Sequence, residues 1–140
     1  MQALIAGLDK VITRALDGAG RGLDRECARI TDDMRTTNAH GSVTSATKAS
    51  YSARRVGRGA TGADAHSASI AAVEDLNPGH AATSTVTIEG LGVIVDSGTD
   101  YQRHLETNKA GAHAVIGPTL QAEASTLTAA AARGSREALR

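Results

Sequence analysis

Ser84-Thr85-Val86-Thr87-Ile88-Glu89, then Gly90-Leu91-Gly92, then Val93-Ile94-Val95-Asp96 is the passage on which the fold class turns. β-branched residues alternate on both sides of a glycine-bearing turn, which is the signal of an antiparallel hairpin. Outward from it, in both directions, the spacing becomes helical. Leu4, Leu8, Val11, Ile12, Ala15, Leu16, Ala19, Leu23, Cys27, Ile30 and Met34 recur at three- and four-residue steps, with Asp9, Lys10, Arg14, Asp17, Arg21, Arg25 and Asp32 mostly between them. That pattern lines one face of a long helix. Gly18, Gly20 and Gly22 interrupt it, each at about 1 kcal/mol relative to alanine, so a kink, a weak point or a close helix-helix approach is expected there. Beyond the hairpin, Pro118 suits the first turn of a second helix. Leu120, Ala124, Leu127, Ala131, Gly134 and Ala138 then follow at steps of four and three, a seam of small residues that lets a neighbour come close.

These elements predict an α+β chain with a long N-terminal helix, a small antiparallel sheet with a long flexible loop, and a C-terminal helix. Residues 1–140 form a single domain by the size prior. The loop is placed at 36–62, where Ser, Thr, Ala, Gly and Arg show no sustained period, and is read as a flexible arm. Ala65 to Leu76 fits either a short helix or the first strand of the same sheet, with the strand preferred. Asp100 is a candidate cap for a short helix carrying Tyr101 to Glu106, with Asn108 to Gly111 as a loop.

Composition bounds what the chain can do. It has no Trp, no Phe and two tyrosines, so its core rests on Leu, Ile, Val and Ala and is thin. Thin cores gain stability by burying surface against copies of themselves, which favours a homo-oligomer. Fifteen basic and fifteen acidic residues cancel, so no global field draws the chain to nucleic acid or an anionic membrane. The single cysteine, Cys27, lies on the apolar face of the first helix and reads as a small buried hydrophobe. Asp9, Lys10 and Arg14 break any signal-peptide pattern, and no run reaches membrane-spanning length. A protein made in the cytoplasm, soluble until it assembles, is expected.

Val93-Ile94-Val95-Asp96-Ser97-Gly98-Thr99-Asp100-Tyr101, then His104-Leu105-Glu106-Thr107, then Ala114-Val115-Ile116-Gly117-Pro118-Thr119-Leu120 with an Ala-rich terminal helix resembles the tail-completion or neck proteins of long-tailed bacteriophages. In that family a strand leads into a Tyr-Ala motif, a glutamate stands near Gly-Thr, and a proline opens the last helix. Tyr101, Glu106, Thr107 and Pro118 occupy comparable places, and Thr61-Gly62 with Ser67 partly echoes a Thr-Gly-x-Leu-x-x-Ser segment. Gln102 stands where the family has Ala, no glycine precedes Thr107, and Asp64 replaces an apolar residue. The resemblance implies a virion protein of the neck or tail. It would form a homo-oligomeric ring, a hexamer or dodecamer, between the head connector and a tail-tube or tail-terminator protein. Genomic DNA would pass through the lumen without sequence recognition, and no membrane is involved.

Candidates for chemistry have bland readings. Gly57-Arg58-Gly59-Ala60-Thr61-Gly62 matches G-x-G-x-x-G, but no strand-like run feeds it, Ala63-Asp64 replace the Lys-Ser/Thr of a phosphate loop, and no βαβ unit follows. His40, His66, His80, His104 and His113 fit no zinc spacing and read as surface or turn residues. No G-x-S-x-G elbow supports a hydrolase, and Glu74-Asp75 reads as a solvated turn before Asn77-Pro78-Gly79. No enzymatic activity, cofactor or metal is expected. The local charge feature is basic: Lys48, Arg54, Arg55 and Arg58 fall within 36–62 with no acidic residue among them. On a flexible arm they would pair with carboxylates of a neighbouring ring component. The alternative is a small nucleic-acid-binding or regulatory protein that uses Arg54 to Arg58 on phosphate.

Overall fold

The computed structural model describes residues 2–36, 45–57, 60, 63–81, 87–90, 92–100, 102, 105 and 115–140. Helix α1 (Gln2–Thr36) is the longest element, and α2 (Ser45–Ala49) leads into strand β1 (Tyr51–Arg55). Helix α3 (Ala63–Leu76) follows, then β2 (Thr87–Gly90), β3 (Val93–Ser97) and helix α4 (Ile116–Ala138). The expected α+β order of long helix, antiparallel sheet and closing helix is therefore present.

The three strands are ordered β1-β3-β2, so β3 is central. It pairs antiparallel with β1 in the register Tyr51↔Ser97 to Arg55↔Val93, and with β2 from Thr87↔Asp96 to Gly90↔Val93. The β2–β3 pair is the hairpin expected from the alternation, and Gly92 in its turn has φ +76, a left-handed conformation that glycine adopts without a Cβ penalty. Period-two alternation gives the sheet two different faces. Tyr51, Ala53, Val93 and Val95 are buried in one core cluster with Cys27, Ile30 and Met34 of α1 and Ile116 and Leu127 of α4. Ser52, Arg54 and Asp96 stand on the other face, toward α3, where His66 meets Ser52 and Asp96.

Two sequence expectations are corrected. Residues 36–62 are not one flexible loop, because 45–55 carry α2 and the edge strand β1. Ser52 and Tyr51 there are fully buried. The polar composition concealed a strand whose side chains find partners far away in sequence. Ala65 to Leu76 lies within helix α3 and is not a strand. From His66 on, its buried residues are His66, Ser69 and Val73 at steps of three and four, which is a helical and not a period-two pattern. The proposed cap at Asp100 leads into Tyr101 to Glu106, most of which lies outside the described residues; Asp100 itself accepts a bond from the His80 ring at 3.1 Å.

The glycines of α1 resolve as a close approach. A Cβ on Gly18 would overlap the Gly134 carbonyl and stand 2.6 Å from the Ala138 Cβ, and one on Gly22 would overlap the Ala130 carbonyl. Antiparallel α1 and α4 thus touch backbone to backbone. Ser135 also donates to the Ala15 carbonyl at 2.8 Å. Along α4 the fully covered residues are Ile116, Leu127, Ala130 and Gly134, so the seam runs through Ala130, and Ala131 is only half-buried beside it. Pro118 sits in the first turn as expected, and the Thr119 amide donates to the Val115 carbonyl at 2.9 Å.

Candidate assembly surface and the buried Asp96 node

The apolar spacing of α1 is continuous, but its cover is not. From Gly18 onward the helix is buried against α4 and the sheet, with Ile30 at 1% exposure. Ahead of that point Leu4, Ile5, Leu8, Val11, Ile12 and Leu16 are 45–70% exposed. The pairing of Ala15 with Ser135 and of Gly18 with Gly134 puts the end of α4 near Ala15, so α1 continues for about 20 Å beyond it. Leu139, just past the end of α4, is exposed as well. The result is an apolar face of six large side chains on a projecting helix. Single exposed apolar residues are ordinary; a contiguous face of this size is a candidate interaction surface.

The basic residues singled out in the sequence fall elsewhere. Arg55 is held by Asp24 of α1 in a two-pronged pair, Nε and Nη2 each 3.0 Å from a carboxylate oxygen. That bond raises the Arg55 pKa above its ordinary value. Arg54 donates to Asp96 at 2.8 Å. Lys48 is half-buried on α2. The expected flexible basic arm is therefore corrected for Arg54 and Arg55: they are strand residues that close ion pairs within their own chain. Arg58 lies outside the described residues, as do the family-motif positions Tyr101, Glu106 and Thr107. Pro118 is described and exposed.

Asp96 is the chemical centre that sequence reading missed. It is fully buried and accepts from Ser52 Oγ at 2.7 Å and Arg54 Nη1 at 2.8 Å, with His66 Nδ1 standing 3.0 Å from its carboxylate. A buried carboxylate needs such partners, because desolvating an unpaired charge is costly. His66 is accordingly not the surface histidine expected. A clue was present: an aspartate in the run Val93-Ile94-Val95 of a strand implies a cation within sheet reach, and Arg54 is its diagonal neighbour in register.

Ser52, His66 and Asp96 do not make a nucleophilic triad. The imidazole turns the same nitrogen, Nδ1, to both Ser52 (3.3 Å) and Asp96 (3.0 Å), whereas a triad uses the two ring nitrogens separately. Ser52 is also fully buried, out of reach of a substrate. The arrangement pins α3 to the sheet. Arg35 adds a second pin, donating from Nε to the Tyr51 carbonyl at 3.0 Å and from Nη2 to Ser69. Burial lowers the Arg35 pKa.

Cys27 is buried as expected, and burial, reinforced by Asp24 and Glu26, pushes its thiol up to about 12. It is inert at neutral pH. On the α1–α4 surface Arg29 joins Glu123, Glu26 and Asp33 at 2.6 to 2.7 Å, and the Glu123 bond first, then Glu26, raises its pKa. Among the described residues no group of histidine, cysteine and carboxylate side chains could hold a metal, and no helix is long and apolar enough to cross a membrane.

The glycine motif has a different context from the one expected. Strand β1 does feed Gly57-Arg58-Gly59-Ala60-Thr61-Gly62 and α3 does follow it. The sheet is nevertheless antiparallel, and among the described residues no βαβ unit is built. No family model, no curated protein and no solved structure matches the chain.

Proposed function

We propose that this chain is a structural virion subunit that forms a ring at the head-tail junction of a long-tailed phage and has no enzymatic activity. The observation that carries the reading is the exposed apolar face of α1 from Leu4 to Leu16 on a helix that projects past its own fold. Such a face suits a protein neighbour, not a small substrate. The order of long helix, sheet and proline-opened last helix supports the neck or tail-completion reading, as does the resemblance around Val93 to Leu120. The ring, a hexamer or dodecamer, would join the head connector to a tail-tube or tail-terminator protein and let genomic DNA pass by geometry alone. The nucleic-acid reading loses its main carriers, because Arg54 and Arg55 are engaged by Asp96 and Asp24.

The experiment is a phage carrying a nonsense mutation in this gene. Filled heads without tails are expected, together with gold-labelled antibody at the neck of wild-type particles. Complete virions that lack the protein would refute the reading. Salt-dependent binding of DNA by the isolated wild-type chain would favour the nucleic-acid alternative instead.

A further inference from the structure

We infer that the exposed face of the first half of α1 is covered by α4 of a second copy of this chain, which lays its outer face along Leu4, Leu8, Val11 and Ile12. This deepens the ring reading and rests on it for the head-to-tail arrangement.

The exposed area matches one side of an interface. Six large side chains, each 45–70% exposed, present on the order of 500 Å² of apolar surface. A standard interface takes about 800 Å² from each partner, of which roughly 60% is apolar. The face therefore supplies the apolar part of one side of one such interface.

The face is also continuous with one that is already covered. Leu4, Leu8, Val11, Ala15, Gly18 and Gly22 follow one line along α1 at steps of four and three. Gly18 and Gly22 on that line are already covered by α4 of the same chain through backbone contact at Gly134 and Ala130. A helix seated on Leu4 to Val11 extends an interface whose other half exists.

Helix α4 itself carries a matching surface. From Pro118 to Ala132 its sole charged residue is Glu123, and that side chain bonds to Arg29 at 2.6 Å. Its outer positions Ala122, Ser125, Ala129 and Ala132 are exposed and uncharged. An exposed helix face ordinarily carries charge. The outer face from Ala122 to Ala132 is about 15 Å long, against about 18 Å for Leu4 to Leu16. Large side chains on one surface meet small ones on the other. The inner face of α4 is occupied by its own α1, so each copy offers both surfaces outward. Contacts between two different surfaces propagate head to tail and close into a ring when the rotation allows it.

The test uses the full chain with Cys27→Ala, carrying Leu8→Cys, Ala129→Cys or both, treated at high concentration with a short bis-maleimide. The double variant is expected to give a ladder of covalent multimers, a mixture of the two single variants to give dimers, and each single variant alone to stay monomeric. Dimers from Leu8→Cys alone would mean that the face meets itself and would overturn the proposal. So would an uncross-linked double variant. The two readings fail separately: a ladder with virions that lack the protein leaves the contact and removes the neck assignment. Virions that contain the protein, prepared from the double variant and yielding no cross-link, remove the contact alone.

Discussion

The two halves of α1 are written in one pattern and meet different fates. Residues 18–34 bury Cys27, Ile30 and Met34 against the sheet and press Gly18 and Gly22 onto α4, while residues 4–16 leave six large apolar side chains exposed. Their glycines make the same contrast. A Cβ on Gly18 would overlap the Gly134 carbonyl, whereas one on Gly7 would meet nothing within 4 Å. Amphipathic spacing states that a face will be covered. It does not state whether the cover comes from the same chain.

The largest expected effect breaks the covered half. Gly134→Val drives a branched side chain into backbone, where nothing can rotate away, and should cost about 4 kcal/mol or more. Thermal melting followed by circular dichroism would read it, and a midpoint near wild type would remove the backbone-contact description of the seam.

Truncation sharpens the contrast. Ile30→Ala should cost about 3 kcal/mol in urea unfolding, since Ile30 is 1% exposed, while Leu8→Ala in the dilute, unassociated chain should cost under about 0.5 kcal/mol. Equal losses would mean that the first half of α1 is covered within its own chain.

Cys27 supplies a pH test of the covered half. Its ordinary pKa of 9.0 is raised to about 12, so the folded state holds the neutral thiol while the unfolded state ionises first. The stability it contributes is complete below pH 9 and is lost as pH climbs toward 12. The difference in unfolding free energy between wild type and Cys27→Ala should therefore shrink across that window. A difference independent of pH would contradict the buried thiol. A cysteine placed at Leu8 should react with a thiol reagent at once at neutral pH, where Cys27 does not.

The smallest effect is a gain. Gly7→Ala, in open space on the bare half, should stabilise the helix by about 0.5 to 1 kcal/mol, and a loss would show that something approaches Gly7.

Much of the architecture is legible in the sequence. The hairpin at Val93 and the proline start of α4 follow from local chemistry; for the α1 glycines the sequence left a kink, a weak point or a close approach open, and the contact with α4 decides for the last. Strand β1 was not legible, because Ser52, Arg54 and Arg55 look like solvated arm residues until Asp96 and Asp24, 44 and 31 positions distant in chain order, are placed beside them. Helix α3 was ambiguous because its Ala and Ser residues favour neither period strongly, and His66 gains its role only from the sheet below it. The Asp96 node is a product of tertiary pairing; the apolar face of α1 was visible as a pattern, its exposure only as geometry.

The most direct measurement is sedimentation of wild type beside a Leu8→Asp, Ile12→Asp double variant, with a thermal melt of each. A wild-type species several times the monomer mass, a monomeric variant, and the same melting midpoint for the variant as for dilute wild type are expected. A variant that stays associated, or that melts well below dilute wild type, would contradict the claim that another copy covers the first half of α1.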